Sequence, residues 1–395
     1  MANTNLTDSI ITKEALAVLH QKSTFLGTIN RQYDDSYAQS GAKIGSSLKV
    51  RLPNEFTVRT GKAISVQDVS ETSETITMAT QKGVDFEFDS QELSLDIDEF
   101  SKRYIQPAMS ALSAVIENDA LSMYSDVPNF YDGVGSADSY ANVTQGAKLL
   151  TDNLAPLSNR HILIPTQSTV DILSDTKGLF QEATQIAKQY REGTLGRIGG
   201  LDFHESTLVP SHTTGDSAEG DSGMNVNGAN QSGSSVTIDG TAKTFLVGDI
   251  VTFAGCNAVH PETKVSTGAL KQFTVVTAAT STTIGVYPSI VLTGGKQNVS
   301  AAPTDNGAVN KIGGGVSATW QQDLLYHQDA FAFVTADLVK PKGVDFCARE
   351  VFDGISMRIV RAYDITNDSF PCRIDVLYGY KTLRGHQAAR IGHNS

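Results

Sequence analysis

The longest periodic run of apolar residues lies between Asp96 and Ser125. Phe100, Tyr104, Ile105, Ala108, Met109, Ala111, Leu112, Val115, Ile116, Ala120 and Met123 share one broad helical face, while Lys102, Gln106, Ser110, Ser113 and Glu117 fall on the other. That spacing predicts one long helix with one buried side. Asp96 stands three residues before Glu99 as an acidic capping box, and Asp98 adds charge at the positive end of the helix dipole. Such a run spans roughly 40 Å, suited to a strut. Pro107 interrupts it and predicts a kink or a late start.

Ahead of the helix the period changes from helical to alternating. Leu48, Val50 and Leu52, then Phe56 and Val58, Ile64, Val66 and Val69, Ile76 and Met78, and Val84, Phe86 and Phe88 predict the strands of a long, thin hairpin over residues 47–95. Thr12–His20 reads as a short helix within an amino-terminal arm that stays polar and turn-rich to Gly45. Beyond the long helix, helical patterns at Val143–Leu154, Ser168–Ser174 and Phe180–Tyr190 alternate with strand patterns at Arg160–Pro165 and Leu201–Pro210, which predicts a mixed α+β unit.

Ser211–Ser235 is mostly Gly, Ser, Asn, Asp and Thr and reads as a flexible connector; Gly294–Gly315 reads as a second one. Short β patterns at even spacing fill Ser235–Leu292 between them and predict a small barrel or sandwich. A β module bracketed by connectors is the pattern of an insertion. Its host resumes at Ala318, with strands at Ala330–Val334, Ser356–Tyr363 and Arg373–Tyr380.

Composition narrows the function. A chain of 395 residues predicts two or three structural units. With 43 acidic against 31 basic side chains the formal charge is -12, which argues against tight wrapping of nucleic acid. Cys256, Cys347 and Cys372 are far apart and odd in number, so they read as small hydrophobes in a reducing compartment. The start, Met1–Asp8, lacks the blocks of a signal peptide, and no apolar run reaches membrane-spanning length; the expectation is a protein made and used in cytoplasm. No phosphate loop, dinucleotide fingerprint, nucleophile elbow or HExxH pattern is present. The histidines are scattered, and His260 reads as a turn residue. The expectation is no enzyme, no cofactor and no metal.

Four stretches carry a family resemblance. The acidic hairpin feeding a long helix resembles the extended loop and spine helix of tailed-phage major capsid proteins with the HK97-like fold. Gly196–Ser206 is similar to the glycine turn and strand of the capsid's axial domain. Val247–Gly255 together with Lys271–Val276 is similar to the inserted β-barrel of the P22-like coat proteins, and Cys372–Tyr380 followed by Arg384 to that group's closing strand.

The resemblance implies an α+β, HK97-like capsid fold: an amino-terminal arm (1–46), the extended loop (47–95), the spine helix and peripheral domain (96–142, completed by 341–369), the axial domain (143–224, completed by 313–340 and 370–395), and an inserted β-barrel (225–312). It implies a shell subunit that assembles in pentamers and hexamers in the bacterial host cytoplasm and ends in the virion. Its partners would be further copies of itself, a scaffolding protein, a portal protein and packaged double-stranded DNA touched only weakly, with decoration proteins left open and no membrane. The alternatives are an encapsulin-like compartment, which normally holds cargo and lacks a scaffold, and a non-enzymatic binding protein using the β module.

Charge suggests how copies would meet. Residues 66–99 hold ten carboxylates, Asp68, Glu71, Glu74, Asp85 and Glu87 among them, against one cation, Lys82. Residues 340–395 carry nine Lys and Arg, including Arg358, Arg361 and Arg373, against six acids. A solvated face explains such a run as well as a docking surface does. The hypothesis is that one subunit's hairpin lies across the basic strands of the next, with apolar burial giving strength and charge giving register. The β module, taken as residues 235–300, is expected to fold independently and to stiffen the subunit or contact neighbours.

Overall fold

The computed structural model describes residues 23–33, 47–64, 66, 72–89, 106–175, 195–240, 243–278, 282–352 and 355–394. The helices expected at Thr12–His20 and Phe180–Tyr190, and the first part of the long helix from Asp96 to Ile105, lie outside the described residues. The chain divides into two compact units. One comprises Met1–Arg51, Ser73–Leu121 and Phe331–Lys381; the other comprises Leu52–Thr72, Ser122–Ala330 and Thr382–Ser395.

The first unit is built on a six-stranded sheet. Its strands follow the order Asn30–Tyr33, Phe331–Ala336, Ser369–Thr382, Ile355–Arg361 and Phe346–Phe352, and Thr80–Asp89 also pairs with Ser369–Thr382. Every residue of Phe331–Ala336 is buried, so the strand is apolar on both faces except at Thr335, whose hydroxyl accepts the Ser356 N–H. Two expectations change here. The alternation of Val84, Phe86 and Phe88 does mark a strand, but not one of the hairpin. Ser47–Arg51 pairs with Ser73–Thr77, and Thr80–Asp89 then leaves to run antiparallel along Ser369–Thr382, from Thr80 opposite Tyr378 to Asp89 opposite Ser369. A period of two fixes which face a side chain occupies and is silent about the partner strand.

The second correction concerns the helix. Its described part runs over Gln106–Leu121. Met109, Leu112, Ile116 and Ala120 are buried as expected, but Val115 is exposed, and Ser113 and Glu117, assigned to the polar face, are buried. Ser23 covers Ser113, their hydroxyl oxygens 2.9 Å apart. Glu117 accepts the backbone N–H groups of Thr24 and Phe25 at the start of the short helix Phe25–Thr28. The helix therefore buries a wider arc than its apolar stripe.

The second unit holds a seven-stranded sheet in the order Asn129–Gly133, Ala388–His393, Thr319–His327, Arg160–Ile164, Leu201–Glu205 and Arg197–Ile198, with His212–Thr213 also pairing Thr319–His327. Helix Tyr140–Asp152 starts earlier than its apolar period, because the Ser139 hydroxyl accepts the Asn142 N–H as an N-cap. It packs closely on the sheet: a Cβ at Gly146 would lie 2.8 Å from the side chains of Ile391 and Leu325. Val143, Leu150, Ile162, Ile164, Ile172, Leu325 and Ile391 form the core between these layers.

The same unit contains a closed barrel of six strands, Gly220–Val226, Gly233–Gly240, Thr283–Ile290, Phe273–Thr277, Ile250–Phe253 and Ala308–Ile312 in order around it. Met224, Val236, Ile238, Phe253, Phe273, Val275, Ile284 and Val309 fill it, and the rings of Phe253 and Phe273 pack 5.5 Å apart. The connectors expected at Ser211–Ser235 and Gly294–Gly315 thus supply two barrel strands and part of a third. Their linker-like composition has a structural cause. Gly220–Val226 shifts register between Asp221 and Asn225, and Gly223, inside that bulge, has φ +74, a conformation that favours glycine. The barrel leaves and returns at one place in the sheet, since His212–Thr213 and Thr319–His327 pair with each other.

Candidate assembly surface

The residues singled out by charge do not play one role. Asp68 and Glu71 lie outside the described residues. Glu74 sits on Ser73–Thr77, opposite Val50 of the hairpin's other strand. Asp85 and Glu87 sit on Thr80–Asp89, and Arg358, Arg361 and Arg373 on the strands of the same sheet.

Most of these charges already have partners within their own chain. Asp375 is fully buried between two arginines: Arg358 Nη2 and Arg373 Nε each donate to it at 2.7 Å. Burial alone would raise its carboxyl, but the hydrogen bonds from Arg358 and Arg373 outweigh it and hold Asp375 below the usual carboxylate range. Arg361 pairs with Asp345 at 2.8 Å and lies over the rings of Phe346 and Phe370. Arg349 pairs with Asp337 at 3.1 Å, and Asp337 also accepts the Ser356 hydroxyl. Asp85 faces Arg373 across the strand pair at 4.0 Å, and Glu87 accepts the hydroxyl of Ser369. The acidic strand thus lies beside the basic strands of its own chain.

Arg358 and Arg361 therefore hold one subunit together. Asp85, Glu87 and Arg373 keep exposed faces and border a groove of about 640 Å³ floored by Phe86, Val360 and Cys372. Sequence reasoning missed Asp375, although its spacing from Arg373 puts both on one strand face and could have flagged the pair.

The tip of the hairpin supplies a different surface. Leu52–Thr72 belongs to the second unit, where Glu55 pairs with Lys264 at 3.7 Å and the Thr72 hydroxyl accepts from Lys296 at 2.9 Å. Phe56, Val58, Ile64 and Val66 point into solvent, at 59%, 95%, 84% and 86% exposure. Together with Arg59 and Lys62 they make an apolar tip with basic trim.

Elsewhere, His260 is the turn residue expected, its Nδ1 accepting the N–H groups of Glu262 and Thr263. Cys256 and Cys372 are buried, Cys347 is half-buried, and all three are free. One group of potential metal ligands assembles from distant positions, Asp138, Asp323 and His393. No spacing rule links residues so far apart in the chain.

The subunit is a mixed α+β fold. In structure it is similar to a protein of Mycobacterium phage Che8, with a TM-score of 0.50, 13% identity, and coverage of 93% of this chain and 90% of that one. Weaker likenesses include the mature capsid of bacteriophage PhiM1, with a TM-score of 0.49, 12% identity and coverage of 94% and 87%, and the capsid of Ralstonia phage GP4, with a TM-score of 0.49, 8% identity and coverage of 95% and 92%. No curated protein matches the chain. The family model for "P22 coat protein - gene protein 5" matches residues 1–391, and the chain belongs to that family. It is a tailed-phage major capsid protein, a structural subunit of the virion shell. The encapsulin-like and binding-protein alternatives are not favoured.

Proposed function

We propose that this chain tiles an icosahedral head in the HK97-like manner, with the first compact unit as its peripheral part, the seven-stranded sheet as its axial part and the six-stranded barrel as an insertion in that axial part. This division moves Phe331–Ala336 and Ser369–Thr382 from the axial to the peripheral part, because both strands pair within the first unit's sheet. Copies form pentamers and hexamers in the host cytoplasm around a scaffolding protein, with a portal at one vertex, and the shell then takes up double-stranded DNA. Its net charge of -12 suits a container that holds DNA without gripping it.

The observation that carries this reading is the hairpin tip. Phe56, Val58, Ile64 and Val66 are large, apolar and turned to solvent, an arrangement that marks a contact surface. In the shell the tip packs on a neighbouring copy, and the exposed Asp85, Glu87 and Arg373 set the register of subunit contacts. Arg358 and Arg361 act within the subunit instead.

Electron microscopy of the chain expressed with and without the neighbouring phage genes tests the reading. Closed shells of uniform size, made more regular by co-expression, are the expected result. A soluble monomer under both conditions would overturn it.

A further inference from the structure

Three buried side chains from separate elements converge in the second unit. Asp138 lies just ahead of helix Tyr140–Asp152, Asp323 in strand Thr319–His327, and His393 at the end of strand Ala388–His393. Their exposures are 3%, 0% and 0%, and their ligand atoms all lie within 4.8 Å of one another. Ser168, on helix Thr166–Asp175 and equally buried, adds a fourth group: its hydroxyl is 3.0 Å from both Asp323 Oδ1 and His393 Nε2.

Half of each carboxylate is satisfied. Asp138 Oδ1 accepts the Ser139 N–H at 2.8 Å and faces Asn142 Nδ2 at 3.4 Å. Asp323 Oδ1 accepts the Ser168 hydroxyl and faces His393 Nε2 at 3.3 Å. The other two oxygens, Asp138 Oδ2 and Asp323 Oδ2, are buried with no hydrogen-bond donor among the described residues. Two buried carboxylates side by side, each with an uncovered oxygen, call for a positive charge or a shared proton beside them. With nothing else present, burial first and the Asp323 charge second push the Asp138 carboxyl up to about 9.

We infer that Asp138, Asp323 and His393 bind a first-row divalent metal ion, with Zn²⁺ the best fit and Ser168 or a water as the fourth ligand. Two carboxylates and a neutral imidazole balance the charge of such an ion, and a four-membered set mixing nitrogen with oxygen suits zinc. Calcium takes six to eight oxygens, more than this pocket offers. The contacts of Asp138 Oδ1 with Ser139 and Asn142 orient that carboxylate from behind, as outer partners of metal ligands do. The ion would clasp the final strand of the chain to the centre of its sheet and to the head of a helix. Its role would be structural, since Asp138, Asp323, His393 and Ser168 are themselves buried.

The test uses the full chain, stripped with a chelator and reloaded with Zn²⁺ or Co²⁺. The expected result is about one zinc per chain by elemental analysis, a melting point that falls on stripping and recovers on reloading, and a visible absorption band from cobalt. Asp138→Asn should fold yet take up less than about a tenth as much zinc. Absence of the cobalt band in the unaltered chain would overturn the inference. So would equal zinc uptake by Asp138→Asn, or an Asp138→Asn chain that melts at or above the unaltered one with neither holding zinc, the outcome for a shared proton.

Discussion

The Glu117 carboxylate accepts the backbone N–H of Phe25 at 2.9 Å, with its second oxygen taking the N–H of Thr24 at the same distance. A helical residue thereby satisfies donors at the start of a short helix far away in sequence, where a negative charge also suits the helix dipole. Replacing Glu117 with Ala removes the carboxylate that both N–H groups donate to and should cost roughly 2–3 kcal/mol. Glu117→Gln, which keeps one acceptor, should cost less. Urea unfolding of the two variants checks the order.

Asp375 is the hub of the first unit's charges. Asp375→Ala strands Arg358, which is largely buried, and frees Arg373, so a loss of about 3–5 kcal/mol is expected. Arg358→Glu puts two acids face to face and should fail at subunit folding, before assembly. Soluble yield and circular dichroism of the isolated chain separate that from an assembly defect.

His212 gives a pH prediction. Its ring is buried, with Nε2 2.9 Å from Asp249 Oδ1, Nδ1 3.4 Å from the Tyr124 hydroxyl and the Trp320 ring tilted against it at 5.1 Å. Burial, the largest influence, holds the imidazole below its ordinary value of 6.5, aided by Arg390 and Lys311 and opposed by Asp249. The unfolded chain takes up this proton first, so the stability His212 contributes is complete above 6.5 and falls as pH drops through that value toward the depressed one. His212→Gln should be less stable near neutrality yet lose less on acidification. Denaturant midpoints at about pH 7.5 and 5.5 decide it.

The hairpin tip separates folding from assembly. Serine at Phe56, Val58 and Ile64 should change subunit stability by no more than about 0.5 kcal/mol, because these side chains are exposed. Particle yield on a sucrose gradient should drop sharply. Full yield would remove the tip from the assembly contacts.

The barrel has its own core but is stitched to the neighbouring sheet in its unit. Phe273→Ala should cost roughly 3–5 kcal/mol through the cavity it leaves. Deleting residues 235–300 would leave Gly220–Val226 and Ala308–Ile312 paired only with each other, their outer edges open, so aggregation is expected. Joining Gly215 to Ser317, whose backbones already meet at 3.0 Å, should leave a folded host that melts lower. Such a host loses the Gly248 carbonyl that Arg390 donates to at 2.7 Å and the Gln272 side chain that bonds the Phe130 backbone. Melting curves of the two deletions compare them.

Periodicity by itself determined much of this protein. The alternation at Val84–Phe88 specified a strand, and the apolar run at Phe331–Val334 and the wheel through Met109, Leu112 and Ile116 each specified an element whose residues are buried, because side-chain direction follows from backbone repeat alone. The β module was legible for the same reason. Only the tertiary structure decided partners. Thr80–Asp89 left the hairpin for Ser369–Thr382, a glycine-rich connector became barrel wall, Ser113 and Glu117 turned inward to meet Ser23, Thr24 and Phe25, and Asp138, Asp323 and His393 came together from three elements. A local repeat carries no record of which distant group will satisfy a charge or a hydrogen bond. That choice is made when the layers close and water leaves.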